Sequence, residues 1–325
     1  MEFKYPITLK VEEEEILISG YVNLHINEKE KWRKASDSTA IHVDHHVITF
    51  DPENEDCVWI GNDGGIFRSC DFGITWECMN HNINLSQVYN FGHSNICEDL
   101  VLFGGQDMGT NLLIDDRWEH INGGDGFSCG FSYLDDTIAY FSTQNMRIRR
   151  ADNLYKYLYD LNKSGGYRSQ SISVNGQSGF YTKFHISPSS PELLFFPGYD
   201  GLYKSTDKGD SWLKQEGLRS NRVFAFSETN PDLLALEADT FYMENGENKY
   251  ISRIGISDNK GASWEFLEVY NSAFDLFEYS PNLVALTFDA DNLDKIWAAY
   301  IGNGFCHVFH TNNRGETWTN QSKGL

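Results

Sequence analysis

Short apolar stretches separated by polar turns recur along the whole chain. The clearest series is HHVITF, CVWIG, GIFRS and TWECM, which lies within residues 45–79 and is interrupted by DPENED, NDGG and CDFG. Short runs rich in β-branched and aromatic residues, bounded by Gly, Asn and Asp, are typical of β-strands joined by turns. The series therefore predicts four consecutive strands, which we call A, B, C and D.

The same pattern predicts strand A of six further units. These strands read ITLKV, QVYNF, FSCGF, YTKFH, RVFAF and LVALTF. No stretch with helical periodicity extends beyond one or two turns, so the pattern predicts an all-β protein without a regular helix.

An octapeptide with the frame Ser/Thr-x-Asp/Asn-x-Gly-x-Thr/Ser-Trp recurs in the predicted C–D connections. Its copies are SCDFGITW, STDKGDSW, SDNKGASW and TNNRGETW, and we call them the octapeptide turns. Degenerate copies, which match the frame only in part, end at Trp32 and Tyr157, and a shortened copy ends at Trp118. The aromatic residues of all copies recur at an average spacing of about 48 residues, which is typical of propeller blades.

Each residue type in the octapeptide has a structural reason. The hydroxyl and the carboxylate or amide can accept hydrogen bonds from loop N–H groups, the Gly permits a positive φ, and the Trp buries apolar surface. A role needed once in every repeat is structural rather than catalytic. The residues predicted to have this role are Ser69, Asp71, Gly73, Trp76, Ser205, Asp207, Gly209, Trp212, Ser257, Asn259, Gly261, Trp264, Thr311, Asn313, Gly315 and Trp318.

Seven repeats of four short strands account for nearly the whole chain and predict a seven-bladed β-propeller with four-stranded antiparallel blades. The expected organisation is a single domain over 1–325. The blades are predicted at approximately 5–36, 40–80, 86–122, 126–160, 178–216, 220–268 and 282–322.

The octapeptide resembles the Asp-box, or BNR, repeat of sialidases, xyloglucan hydrolases and sortilin-type receptors. The segments HVDHHVITFDPENEDCVWIGNDGGIFRSCDFGITW and FGGQDMGTN are similar to secreted bacterial BNR-repeat propellers of glycosyl-hydrolase-like or sortilin-like type. The resemblance implies an extracellular or cell-surface protein. Because MEFKYPITLKVEEEE has no signal-peptide pattern, we expect a fragment of a longer multidomain chain, with a cytoplasmic protein as the alternative.

The net charge and the hydropathy of the chain exclude several classes of partner, and its cysteines allow one disulfide. The formal net charge of -21 disfavours nucleic acid and anionic membranes, and no apolar run is long enough for membrane insertion. Cys70 and Cys78 flank one predicted hairpin, so they could pair in an oxidising compartment, and buried free thiols are the alternative.

Polar residues and long loops gather at the B–C and D–A connections, which we call the loop-rich face. Three insertions are predicted there, around 162–179, 237–252 and 269–282, whereas the A–B connections are short and plain. Rigid scaffolds commonly carry function on such loops. The candidate ligand-binding residues are His42, Asp44, His46, Asp63, Gln106, Asp107, Asp125, Tyr167, Tyr199, Asp200 and Tyr242.

The segment HVDHH lies where the second strand A begins. Strand alternation predicts that His42, Asp44 and His46 share one side with Ile48, and that His45 points the other way. Two His and one Asp so spaced could bind zinc or iron. The favoured interpretation is a hydrogen-bonded polar cluster in which Asp44 fixes the histidine tautomers. No cofactor is expected, with Ca²⁺ on the acidic rim or Zn²⁺ as alternatives.

Two functions follow from these residues. The favoured one is a non-catalytic binding module that recognises a glycan or protein ligand through the loop-rich face. The alternative is a glycoside hydrolase, which needs two carboxylates, with candidates Asp44, Asp63, Asp107 and Asp125. The sialidase signature is missing, and the catalytic aspartate of the xyloglucan hydrolases would align with His46. Enzymatic activity therefore stays open and is not expected.

Overall fold

The computed structural model of the protein describes most of the chain in two compact units, Met1–Ser86 and Gln87–Leu325. The described residues are 6–11, 14–20, 23–28, 31–35, 41–71, 73–81, 86–164, 170–172, 174, 176, 180–198, 200–215, 218, 223–230, 232–244, 247–267, 282–301 and 308–322. Each unit is described by itself, and a single domain over 1–325 stays a prediction.

The first unit contains two four-stranded antiparallel sheets among its described residues. The first sheet consists of β1 (Pro6–Val11), β2 (Glu14–Gly20), β3 (Leu24–Glu28) and β4 (Lys31–Lys34). The second consists of β5 (His45–Asp51), β6 (Asn54–Asn62), β7 (Gly65–Ser69) and β8 (Glu77–Cys78).

The second unit contains five more such sheets within its described part. Their strands are β9 (Val88–His93), β10 (Val101–Gly105), β11 (Gly109–Ile114) and β12 (Arg117–Asn122); β13 (Cys129–Ser132), β14 (Asp135–Thr143), β15 (Arg147–Ala151) and β16 (Gln170–Ile172); β17 (His185–Ile186), β18 (Leu194–Gly198), β19 (Gly201–Ser205) and β20 (Leu213–Lys214); β21 (Phe224–Phe226), β22 (Leu234–Glu244), β23 (Glu247–Ser257) and β24 (Glu265–Leu267); β25 (Asn282–Phe288), β26 (Ile296–Ile301), β27 (Val308–Thr311) and β28 (Thr319–Asn320).

Strands that follow one another in sequence pair within every sheet, as the predicted A–B–C–D order requires. The apolar cores lie between consecutive sheets. In the first unit, Ile26 of β3 packs with Ile48 and Ile60 of the next sheet. In the second unit, Leu102 and Phe141 belong to a similar core between neighbouring sheets. Because a sheet with a core on each face buries both faces of its strands, the sequences of many strands are continuous apolar runs.

The octapeptide turns share one hydrogen-bond pattern. In the first of them, the N–H of Gly73 donates to Ser69 Oγ over 2.8 Å, and that hydroxyl donates to Asp71 Oδ1 over 2.8 Å. The N–H of Thr75 also donates to Asp71 Oδ1, over 2.8 Å. Gly73 has φ 74°, which a residue with a Cβ rarely adopts. The glycine N–H to hydroxyl bond recurs at 2.8 Å in the other three turns.

One regular helix departs from the sequence prediction. The last four residues of the predicted degenerate octapeptide that ends at Tyr157 belong instead to α1 (Leu154–Ser164), and the fourth sheet ends at Ile172 rather than near 160. Asn153 caps the helix, since its Oδ1 accepts the N–H of Lys156 over 2.9 Å. Tyr157 is buried, and its hydroxyl donates to the carbonyl of Ile121 over 2.6 Å.

The disulfide also differs from the prediction. Cys57 pairs with Cys70, whereas Cys78 is a free thiol. The strand register explains this choice, because Val58 of β6 lies opposite Ser69 of β7 and brings the neighbouring cysteines face to face. Cys78 lies instead on the outermost strand, β8, where its backbone is opposite Phe67 of β7.

The predicted insertion at 237–252 is a regular hairpin. The strands β22 and β23 pair continuously from Leu234 opposite Ser257 to Glu244 opposite Glu247. The insertion at 162–179 begins in α1 and contains β16, and its other residues lie largely outside the described part of the chain. The predicted insertion at 269–282 lies outside the described residues except for Asn282, the first residue of β25.

Candidate ligand-binding site

The HVDHH segment of the first unit does not follow simple strand alternation. Asp44 has φ 59°, and the β5–β6 pairing shifts register between His45 and Val47. As a result His46 is exposed while Ile48 is buried, so these two side chains do not share a side as predicted. His45 is the buried histidine. Burial, followed by the nearby His42 and His46, lowers the pKa of His45 to about 4.

Hydrogen bonds from the B–C connection hold this segment. Asn62 Nδ2 donates to the carbonyl of His42 over 2.9 Å, and the N–H of Asp63 donates to the carbonyl of Asp44 over 3.3 Å. His46 Nε2 lies 2.5 Å from Asp63 Oδ1. Asp63, rather than the predicted Asp44, is therefore the carboxylate that orients a histidine.

The residues considered for zinc or iron do not form a shared ligand set. Within the described part of the first unit, the donor atoms of His42, Asp44 and His46 do not come together in one group. One carboxylate oxygen of Asp44 lies within 4.8 Å of one of Asp63.

Two glycine-rich loops of the second unit place Asp125 at the loop-rich face. Gly104 and Gly126 pack backbone to backbone, and a Cβ on Gly126 would lie 2.0 Å from the carbonyl oxygen of Gly109. Asp125 is only 5% exposed. Its Oδ1 accepts the N–H of Asp107 over 2.9 Å.

Asp125 has a second partner in the turn between β14 and β15, because its Oδ2 accepts a hydrogen bond from Gln144 Nε2 over 2.6 Å. Both carboxylate oxygens therefore hold surrounding loops in place. A buried carboxylate with charge-assisted hydrogen bonds of this kind rigidifies its surroundings. The predicted candidates Asp107 and Asp125 are thus brought together, with Asp125 as the residue that positions the Asp107 turn.

Four aromatic side chains gather beside these loops, and we call them the aromatic platform: Tyr89, Phe127, Phe180 and Tyr181. The ring centroid of Phe127 lies 5.1 Å from that of Tyr89, 5.6 Å from that of Phe180 and 4.6 Å from that of Tyr181. Phe127 is buried, whereas Phe180 is 60% exposed and Tyr181 40% exposed. A buried ring thus supports two exposed ones.

The platform is tied to the polar loops. Tyr89 donates its hydroxyl proton to Gln106 Oε1 over 3.1 Å, and its ring lies 5.8 Å from that of Tyr181. Burial, with smaller contributions from Cys129 and Tyr89, raises the pKa of Tyr181 above the ordinary value of a tyrosine phenol. Exposed aromatic rings beside fixed amide and carboxylate groups can stack on a ligand ring and hydrogen-bond its polar edge.

The remaining predicted residues lie elsewhere. Asp200 accepts the hydroxyl of Tyr203 over 2.6 Å and pairs with Lys214 over 3.0 Å. Burial and this hydrogen bond raise the pKa of Tyr203 to about 12. Tyr242 lies on β22 opposite Lys249. Tyr167 and Tyr199 lie outside the described residues.

Tyr89, Phe127 and Phe180 of the platform are not among the candidate residues that the sequence predicts. A signal was present, because an aromatic residue stands at or just before strand A in three successive units, in QVYNF, GDGF and GFYTKF. The signal is weak on its own, since strand residues are often aromatic. Only packing of neighbouring sheets brings these positions together.

Comparisons with known proteins establish the fold alone. No family model and no curated protein matches the chain. A solved structure of an ancestral GH74 enzyme superposes with a TM-score of 0.51 at 12% identity, over 85% of this chain and 38% of that one. YCF48 from Cyanidioschyzon merolae gives a TM-score of 0.49 at 12% identity, over 85% of this chain and 84% of that one.

The chain therefore spans well under half the length of the GH74 enzyme that it matches. This likeness and the seven four-stranded sheets of the described residues confirm the predicted fold class, an all-β propeller fold with four-stranded antiparallel blades. Among the described residues, no helix is long and apolar enough to cross a membrane.

Proposed function

We propose that this protein is a non-catalytic carbohydrate-binding module, secreted or displayed at a cell surface, whose aromatic platform stacks on sugar rings. The observation that carries the proposal is the exposure of Phe180 and Tyr181 on top of the buried Phe127. Two large exposed rings on a rigid support lose little conformational entropy when a flat apolar sugar face covers them.

Polar groups beside the platform supply the hydrogen bonds that a sugar needs. Gln106 is held by Tyr89, and the Asp107 turn is held by Asp125. Because these groups are fixed before a ligand arrives, binding costs little further ordering. The module would bind a neutral or basic glycan in preference to an acidic one, since the chain carries a net charge of -21.

The Cys57–Cys70 disulfide supports an extracellular location. Disulfides persist in oxidising compartments and are rare in the cytosol. The same negative charge argues against nucleic-acid partners, as the sequence analysis also predicts.

The test is a glycan array probed with the full chain, followed by two platform variants. We expect a defined set of oligosaccharides to bind, and Tyr181→Ala and Phe180→Ala each to abolish the signal. Tyr159→Ala is the matched control, because Tyr159 is 63% exposed on α1 and takes no part in the platform contacts. Binding that survives both platform changes, or that is lost equally in the control, would refute the proposal.

A glycoside hydrolase is the second candidate, favoured by the carboxylate oxygens of Asp44 and Asp63 within 4.8 Å of each other. Retaining glycosidases place their two carboxyl groups about 5 Å apart. The test is hydrolysis of a panel of 4-methylumbelliferyl glycosides by the full chain, with Asp63→Asn and Asp44→Asn as variants. Turnover that disappears in both variants would favour the hydrolase over the binding module.

A further inference from the structure

Two junctions between consecutive sheets of the second unit share one contact, at the end that carries the octapeptide turns. Lys204 of β19 belongs to the fifth sheet, and its Nζ donates to the carbonyl oxygen of Lys260 in the octapeptide turn of the sixth, over 2.7 Å. Arg150 of β15 makes the same contact one sheet earlier, because its Nη1 donates to the carbonyl oxygen of Lys208 over 2.5 Å. A cation on strand C thus binds the octapeptide turn of the following sheet.

Arg150 shows which groups hold a guanidinium at such a junction. Its Nε donates to Asp152 Oδ1 over 2.5 Å, and its Nη2 donates to Gln170 Oε1 over 2.8 Å. Asp210, in the octapeptide turn of the next sheet, lies 3.0 Å from Arg150 Nη1. Burial by itself would lower the pKa of Arg150, but the hydrogen bond and charge of Asp152 and the charge of Asp210 raise it above its ordinary value. Oxygens from both sheets therefore hold this buried cation in its charged form.

At the junction between the sixth and seventh sheets, an apolar residue takes the place of the cation. Ile256 of β23 precedes Ser257, the first residue of its octapeptide turn, just as Lys204 precedes Ser205. The fourth residue of the next octapeptide turn is Arg314. Because the side chain of isoleucine has no hydrogen-bond donor, Ile256 cannot bind the carbonyl oxygen of Arg314.

The side-chain oxygens that surround Arg150 have counterparts at this junction. Glu265 of β24 lies opposite Ile256 in the register, which is the position that Gln170 has in the fourth sheet. Asp258 is two residues beyond Ile256, which is the position of Asp152 in the fourth sheet. A carboxylate thus replaces the neutral amide, and two carboxylates flank the position of the missing cation.

A cavity lies at this position. Its volume is about 220 Å³, and it is lined by Ile256, Asp258, Ser263, Trp264, Glu265 and Arg314. The space corresponds to about seven water molecules at ~30 Å³ each, which holds a guanidinium group with part of its alkyl stem. Asp258 and Glu265 are exposed, so a ligand can reach their carboxylates from the solvent.

The charges around the cavity favour a cationic ligand. Within the described part of the chain, neither Asp258 nor Glu265 pairs with a basic side chain. The side chain of Arg314 is held by its own sheet, since its Nε donates to Asp294 Oδ1 over 2.8 Å. The net charge of the whole chain, -21, also attracts cations.

We propose that this cavity is a binding site for a guanidinium group, as carried by an arginine side chain of a peptide or by a small free guanidine. The guanidinium donates to Asp258, Glu265 and the carbonyl oxygen of Arg314, which correspond to groups that hold Arg150. A planar guanidinium suits this set because its donors form a fork that matches carboxylate oxygens. The site is separate from the aromatic platform and does not rest on the proposed glycan binding.

The first experiment titrates the full chain with acetyl-Gly-Arg-Gly-amide and with the same peptide containing citrulline, followed by NMR. Citrulline has the shape of arginine without its charge. The titrations are done at low ionic strength, where exposed charges are least screened. We expect the arginine peptide to bind at least about tenfold more tightly, because hydrogen bonds to charged groups are the stronger ones. Equal affinities, or binding of neither peptide, would overturn the proposal.

Methylguanidinium separates the two sources of the group. It carries the same head group without a peptide. Binding as tight as that of the arginine peptide would assign the site to free guanidines as well. Binding about tenfold weaker or less would assign the site to arginine side chains of a peptide.

A variant that supplies the missing cation locates the site. Ile256→Arg should fill the cavity with a guanidinium of the chain itself, as Arg150 does at its own junction, and should abolish binding of the arginine peptide. Ile256→Leu is the matched control, which keeps an apolar side chain and should bind normally. Native affinity in Ile256→Arg would overturn the assignment.

A second pair of variants keeps the test decisive if Ile256→Arg does not fold. Asp258→Asn/Glu265→Gln removes both carboxylates at exposed positions and should weaken binding of the arginine peptide at least about tenfold. Asp115→Asn/Asp116→Asn removes the same charge from the exposed turn between β11 and β12 and should bind normally. Unchanged affinity in the first double variant, or an equal loss in both, would overturn the assignment.

Discussion

The two ends of the A strands in the second unit differ in how their polar groups are satisfied. At the loop-rich end, the Tyr89 hydroxyl donates a hydrogen bond to Gln106, and each carboxylate oxygen of Asp125 accepts a hydrogen bond. At the other end, Ser132 Oγ and His185 Nε2 have none. The end with satisfied polar groups presents a rigid surface with exposed rings, whereas the other end borders a cavity of about 260 Å³ that is partly open to solvent. The contrast indicates that the polar groups of the loop-rich end are preorganised for a ligand, whereas the polar groups at the other end are buried within the fold without a hydrogen-bond partner.

The largest effect is expected from Gly126→Ala at the loop-rich end. The new Cβ would lie 2.0 Å from the carbonyl oxygen of Gly109 and 2.8 Å from Gly104 Cα, so the backbone of one of these loops would have to shift. We expect a loss of about 3 kcal/mol in the free energy of unfolding, measured by urea denaturation.

Gly61→Ala is the control for this change, because its Cβ would meet only Val47 Cβ at 3.7 Å, an ordinary contact. A stability of Gly126→Ala equal to that of this control would mean that the loop-rich end is not rigid, and the comparison between the two ends would fail.

At the cavity end, we expect a pH dependence of stability from His185. Its pKa is about 3 in the folded protein and about 6.5 in an unfolded chain, so the unfolded state binds a proton first. The contribution of His185 is therefore fully present above pH 6.5 and is lost as the pH falls from about 6.5 towards about 3. Denaturation at a series of pH values should show a smaller loss in His185→Phe than in the native chain. Identical slopes would show that His185 does not stay neutral in the fold.

A smaller effect separates the serines of the A–B connections. Ser187→Ala removes the acceptor of the Ser190 N–H and should cost about 1 kcal/mol. Ser132→Ala removes an unpaired hydroxyl and should leave stability unchanged or raise it by a few tenths of a kcal/mol. Thermal unfolding of the two variants checks both values. An equal loss in both would show that Ser132 has a partner after all.

Local patterns in the sequence predict the strands and turns that repeat in the fold. The predicted strand HHVITF lies in β5, and Ser69, Asp71 and Gly73 of the octapeptide frame make the hydrogen bonds that the frame predicts. These features depend on neighbours within a few residues. Helix α1 was missed although Leu154, Tyr157 and Leu158 have helical spacing behind the cap Asn153, because Tyr157 fitted the degenerate octapeptide.

The sites depended on distant residues, and the sequence located them less well. Asp107 and Asp125 were named as candidates, but their contact follows from two loops that only tight glycine packing brings together. The platform joins residues as far apart as Tyr89 and Tyr181, which no local period relates. The bulge after His45 likewise arises from pairing with β6 and cannot be read from strand alternation.

The most direct test of the account is isothermal calorimetry of the full chain with the oligosaccharide that binds best on the array. Native protein is compared with the double variant Phe180→Ala/Tyr181→Ala and with the control Tyr155→Ala/Tyr159→Ala. Truncated aromatic anchors commonly cost 2 kcal/mol or more, so we expect the platform variant to bind at least about thirtyfold more weakly and the control to bind normally. Equal affinity of all three proteins would contradict the account and place the ligand elsewhere on the molecule.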